Sequence, residues 1–228
     1  MPRDTLTRDQ IVRTAIELLD DEGLDGLNMR SLGKRLDAAA TAMYWHVKNK
    51  DNLVRLATDE VWGEIPLPEP DSADWRTAAE ALAGGMYAMI TRHPWIVQAQ
   101  SGYLLYGPNT SRHNERVLEV YEQAGFDEQQ ADQAAASVFM FVLGNAVGQA
   151  ANISLKRRLA LKGEDAEAAM NAAVAEATEA AMQHPRLRSR IEKAAATGYN
   201  DAPDSSFEFG LAALLDGLRD RLGEIAGR

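Results

Sequence analysis

The 228-residue chain has no cysteine, which excludes a disulfide framework, a thiolate metal site and a cysteine nucleophile. No uninterrupted apolar run approaches the ~20 residues that a membrane span needs. The opening Met-Pro-Arg-Asp-Thr has no apolar secretion signal. A cytoplasmic protein with no membrane partner is expected. The four histidines, His46, His93, His113 and His184, include no i,i+4 pair, so no helical zinc site, metal or cofactor is expected. Gly84-Gly85 lies within a helical pattern with no strand before it, which is not the setting of a phosphate loop. No nucleophile–base pair stands out either, and no segment alternates with period two. The chain reads as all-α and as something other than an enzyme.

What is present is an apolar content of 46% and a net charge of −10 that is unevenly spread. Between Asn28 and Leu56 the cations are Arg30, Lys34, Arg35, Lys48, Lys50 and Arg55, against only Asp37 and Asp51. The acidic surplus lies elsewhere, so one end of an acidic protein offers phosphates a place to dock.

That basic stretch reads as two short helices joined by a tight turn. Before it, Thr7 and Gln10 form a capping box, Leu6 and Ile11 a hydrophobic staple, and Gly23 the stop of a first helix. Asn28 caps the second helix, and Asp37 sits where the turn needs a left-handed residue. The third runs from about Ala39 to Val47, with Met43 and Val47 inward and a small outer face at Ala40 and Thr41. Short side chains there let a helix backbone come close to base edges in a major groove. Tyr44, His46, Lys48 and Lys50 follow as candidate phosphate contacts.

A longer helix from Lys50 to about Ile65 ends at Pro66, Pro68 and Pro70, the strongest linker in the chain. Further helices are predicted over 75–91, 94–100, 109–123 (closed by Gly125), 128–152, 185–196 and 205–222. The alanine-rich stretch 155–183 is expected as a loosely packed helix. The expected division is 1–52 for the helix-turn-helix and 53–228 for a helical second domain. Of the histidines, His93 reads as a helix C-terminal cation and His113 as a solvated residue.

The run Met43-Tyr44-Trp45-His46-Val47-Lys48-Asn49-Lys50, followed by Asp51-Asn52-Leu53-Val54, resembles the DNA-binding domain of the tetracycline-repressor (TetR) family of transcriptional regulators. Ala15-Ile16-Glu17-Leu18-Leu19 and Gly23-Leu24-Asp25-Gly26-Leu27 fit the same pattern. Weaker likeness continues through Ala124-Gly125-Phe126 to Phe207-Glu208-Phe209-Gly210-Leu211. The resemblance implies a homodimer with helix-turn-helix readers on palindromic operator DNA and a helical body that binds a small effector. It implies that Arg30, Ala40, Thr41 and Ala42 face base edges, and that Tyr44, Trp45, His46 and Lys50 contact phosphate, sugar or thymine methyls. Ala40 stands where the family often has glutamine, so the recognition helix has few hydrogen-bonding side chains, and readout leans on Arg30, Thr41 and methyl contacts.

In tetracycline-binding members, body histidines help hold drug and magnesium. Pro66 and Gln100 stand near those positions here, and Leu82 replaces a drug-binding asparagine. The implied effector is therefore not a metal-chelated tetracycline but a largely apolar molecule. Its expected pocket is Leu82, Met86, Ile90, Trp95, Gln100, Tyr103, Val117, Tyr121, Met140 and Gln149. Apolar faces on the helices near 128–152 and 205–222 are expected to pair two copies. A ligand-released repressor is the leading expectation. An activator of the same build, or a helical carrier or enzyme using the pocket, is the alternative.

Overall fold

The computed structural model describes residues 6–69, 74–161, 163, 165–197 and 203–226, and every regular element among them is an α-helix. Helix α1 (Arg8–Gly26) starts on the expected capping box: the Thr7 N–H donates to Gln10 Oε1 at 2.9 Å, and the Gln10 N–H donates to Thr7 Oγ1 at 3.2 Å. Gly23 breaks it near its end with a φ of 71°, a conformation that favours glycine. In α2 (Met29–Arg35), the first-turn N–H groups of Arg30 and Ser31 donate to Asn28 Oδ1. Asp37 makes the turn with φ 47°, and α3 (Ala40–Val47) follows with Met43 and Val47 fully buried. Lys48, with φ 59° and ψ −57°, makes a γ-type turn closed by the Asn49 N–H on the Val47 carbonyl, which the sequence does not signal. Asn49 then caps α4 (Lys50–Trp62), which stops three residues short of the expected Ile65.

Prolines 66 and 68 lie in irregular chain, as expected of a linker, while Pro70 falls outside the described residues. Asp74 caps α5 (Trp75–Arg92), α6 (Trp95–Gly102) follows, and α7 (Pro108–Ala124) closes on Gly125 at φ 106°. Helix α8 (Glu128–Leu161) runs nine residues past its expected end at Asn152. The alanine-rich stretch is not one helix. Gly163, at φ 73°, stands between α8 and α9 (Ala166–Met182), and Asp165 caps the latter through the N–H groups of Glu167 and Ala168. None of the residues of α9 is buried, which fits loose packing. Next come α10 (Pro185–Thr197) and α11 (Pro203–Ala226).

The chain divides into two compact units, Met1–Ala150 with Gly217–Arg228, and Ala151–Asp216. In the second, α9 and α10 pack on each other. In the first, α1 packs on α2, α3, α4 and α6, while α4 also packs on α5 and α7. One face of α4 supplies the reason: Leu53, Val54, Leu56, Ala57, Val61 and Trp62 are all buried. Helices α1 to α7 are therefore joined through α4 in one packed unit. By length and composition, Glu128–Ala160 is apolar enough to cross a membrane, although charged residues interrupt it. In this structure its residues Ala131, Ala134, Val138 and Val142 are part of the buried core.

Candidate nucleic-acid interface and internal cavity

Helix α3 buries Met43 and Val47 and leaves Thr41, Ala42, Tyr44, Trp45 and His46 exposed. Trp45 is 91% exposed, an unusual state for the largest apolar side chain unless something covers it. Arg30 is exposed on neighbouring α2, as are Lys34 and, after α3, Lys48. Ala40 opens α3, but its side chain lies outside the described ones. An exposed helix of small and aromatic residues, flanked by cations, has the size and charge that a major groove accepts.

Several cations of the stretch already have partners. Arg35 is held by Asp21 at 2.7 Å and Glu22 at 3.1 Å on α1, and the Asp21 hydrogen bond raises its pKa further. Lys50, a candidate phosphate contact, gives one of its three donors to the Leu24 carbonyl at 2.7 Å across to α1. Arg55 donates to Asn52 Oδ1 and to the Tyr106 carbonyl at 3.1 Å, with its guanidinium 4.7 Å above the Tyr106 ring. These three brace the reader helices against the chain around them.

One turn further along α4, buried Asp59 accepts from Thr110 N at 2.9 Å and from Thr110 Oγ1 at 3.0 Å. A carboxylate of α4 thus caps α7, which has no side-chain cap of its own at Gly107. Gly107 is needed for space, since a Cβ there would collide with the Asp59 carboxylate. Sequence reading missed this pairing because 51 residues separate the partners.

The far end of α4 forms one wall of a cavity of about 380 Å³, with α5, α7 and α8 supplying the rest. Trp62, Leu82, Met86, Val117, Val138 and Phe139 make the lining mainly apolar. The polar lining groups are few: His113, Asn114, Asp132 and the Tyr121 phenol, whose pKa burial pushes up. His113 is not solvated, as its sequence context suggested. It is only 4% exposed, its ring packs against Trp62 at 4.8 Å and 69°, and burial lowers its pKa to about 4. Among the described residues neither ring nitrogen has a partner within hydrogen-bond distance, and the nearby Asn114 side chain only partly offsets the effect of burial.

Of the ten expected pocket residues, Leu82, Met86, Val117 and Tyr121 line this cavity. The other six lie elsewhere. Ile90 is core, and Trp95 donates its indole N–H to Asp20 Oδ1 at 2.8 Å. Gln100 sits at the end of short α6, and Tyr103 just beyond it, with its phenol pKa raised by burial and by Asp51 and Asp25 of the reader end. Met140 is 64% exposed on α8, and Gln149 donates to the Tyr87 hydroxyl at 3.3 Å. The expected list reached α5, α7 and α8 but took α6 in place of α4, and α8 turns Met140 outward and brings in Ala135, Val138 and Phe139.

Buried His93 does cap the C-terminus of α5, and its surroundings add more than the helix dipole. Its Nδ1 lies 2.8 Å from Asp20 on α1 and its Nε2 3.3 Å from Glu64 after α4. Arg92 also holds Glu64, at 2.6 Å. Burial pulls the imidazole pKa down, but hydrogen bonding and charge from Asp20, then Glu64, outweigh it and hold the value above the ordinary one.

Comparison with known proteins gives two family matches. Residues 11–57 match the bacterial regulatory proteins of the tetR family, and residues 67–222 match the tetracyclin repressor-like C-terminal domain. A transcriptional regulator of the helix-turn-helix type from Saccharopolyspora erythraea is 39% identical over 140 residues, which span 61% of this chain and 59% of that one. The transcriptional repressor DrrR1 of Streptomyces coeruleorubidus is 31% identical over 99% of this chain and 83% of its own. The crystal structure of ActR from Streptomyces coelicolor in complex with actinorhodin superposes with a TM-score of 0.69, at 26% identity over 95% of this chain and 96% of that one.

Proposed function

Because this chain belongs to the TetR family of bacterial regulatory proteins, we propose that it silences transcription by seating α3 in the major groove of operator DNA, until a small molecule enters the cavity walled by α4, α5, α7 and α8. It is a ligand-responsive transcriptional repressor. The observation that carries the DNA side is the exposed face of α3, with Trp45 uncovered and Arg30 beside it. Arg30, Thr41 and Ala42 are assigned to base edges, and Tyr44, Trp45 and His46 to sugar, phosphate and thymine methyls. Lys48 and Lys50 are assigned to phosphate, the Lys50 ammonium keeping two donors beyond the one given to the Leu24 carbonyl.

The cavity supports the effector side, as does the small molecule held by ActR. One helix joins the two sites: α4 starts at Lys50, tied to α1, and ends at Trp62 in the cavity wall, about 20 Å away at 1.5 Å per residue. An effector that moves Trp62 moves the helix that braces the reader, and by linkage operator DNA weakens effector binding by the same factor. We place the boundary between reader and body within this helix. Two copies are assigned to one operator, with exposed Met140 and Val147 of α8 and Phe209 of α11 as surfaces for the second copy.

Selection of bound fragments from a random duplex pool, followed by salt titration, tests the reading. Expected is one palindromic consensus whose affinity falls steeply with salt. Failure to enrich any sequence at any salt overturns it in favour of a carrier.

A further inference from the structure

We propose that His113 selects the effector, and that the effector is an uncharged ring compound presenting one hydroxyl or carbonyl oxygen to that imidazole. The inference rests on the cavity being the effector site. His113 lies on the cavity wall, buried, and among the described residues neither ring nitrogen has a partner within hydrogen-bond distance, with Asn114 the polar side chain that influences the ring. Buried polar groups are almost always paired, and one left unpaired beside a cavity marks where a ligand atom completes it. At neutral pH the burial that lowers its pKa keeps the ring uncharged, so it offers one donor and one acceptor. A phenol or alcohol satisfies either nitrogen, and a carbonyl satisfies the protonated one.

The rest of the lining narrows the class. Leu82, Met86, Val117 and Phe139 reward a flat apolar body. Among the described residues no lysine or arginine lines the cavity, while the Asp132 carboxylate does, so a carboxylate or phosphate finds no counter-charge among them and meets a like one. The volume of about 380 Å³ lies in the lower part of the range of ligand pockets, roughly 300–1,000 Å³, which suits a small fused-ring compound. Both nitrogens are shut off from solvent, and the ring packed against the imidazole is that of Trp62, the last residue of α4.

The experiment is calorimetric titration of the full chain and of His113→Phe with 2-naphthol and with 2-methylnaphthalene, which share a shape and differ in the hydroxyl. The parent is expected to bind the naphthol about tenfold more tightly. His113→Phe is expected to bind both alike and to melt no lower than the parent, while His113→Gln restores part of the preference. Equal binding of the two probes by the parent, or a preference that survives in His113→Phe, overturns the role of His113 and leaves the cavity as the effector site. Binding of neither probe by the parent overturns both.

Discussion

Replacing His113 with phenylalanine should remove an acid sensitivity that this single side chain imposes on the fold. The folded protein holds the imidazole pKa at about 4, against an unfolded value of 6.5. A lowered histidine pKa means that the unfolded chain binds the proton first, so stability is complete above the unfolded pKa and is lost as pH falls toward the folded one. At pH 5 the unfolded ring is almost fully protonated and the folded ring only roughly a tenth so. The difference between pH 7 and pH 5 is then about 2 kcal/mol. Urea unfolding of parent and variant at both pH values measures it. Subtracting one pH profile from the other cancels the other titrating groups, His93 included. The variant should gain about 2 kcal/mol on the parent over that interval. Profiles parallel to within about 0.5 kcal/mol would refute the burial of an uncharged, unpaired imidazole.

Other perturbations follow from the same contacts. His93, with its pKa raised by Asp20 and Glu64, contributes stability that is full below the unfolded value of 6.5 and fades as pH rises through the higher folded value. His93→Gln should therefore flatten the loss of stability between pH 6 and the alkaline side, as read by the same unfolding assay. Asp59→Ala removes the cap on α7 and should cost about 1–2 kcal/mol, and Gly107→Ala should cost a similar amount by displacing that carboxylate. The double variant should be far from additive, and additive losses on thermal melting would separate the two. Met140→Arg places a charge on the exposed face of α8 and should shift a dimer toward monomer in sedimentation, with the circular dichroism spectrum unchanged.

Local chemistry was legible and long-range partnership was not. Thr7 with Gln10, Asn28, Asp37 and Gly125 announce their structures because each acts within a few residues of itself. The all-α fold and the order of helices up to α7 follow from such signals. Asp59, Lys50 and His93 take partners across helices, and nothing in their immediate sequence says so. His113 was misread for the same reason: its neighbours Arg112, Asn114 and Glu115 are exposed, and only the fold brings Trp62 over its ring. The break between α8 and α9 was concealed by composition, since alanine favours helix on both sides and Gly163 and Asp165 are isolated signals. On the reading surface, Thr41, Ala42, Tyr44, Trp45 and His46, which the motif named, are exposed on α3, while the bond from Lys50 to Leu24 is another partnership across helices.

The four tryptophans occupy four distinct settings. Trp45 stands in water on α3, and Trp62 faces an imidazole in the cavity wall. Trp75 lies among the rings of Tyr121 and Phe126, and Trp95 is hydrogen-bonded to a carboxylate of α1. Indole emission shifts with polarity and is quenched by nearby rings and charges, so the chain carries its own set of optical reporters. With the other three changed to phenylalanine, the Trp45 signal answers to a duplex laid across α3, and the Trp62 signal to a guest in the cavity. Titrating each protein with both partners would separate the two events by wavelength, without any attached dye.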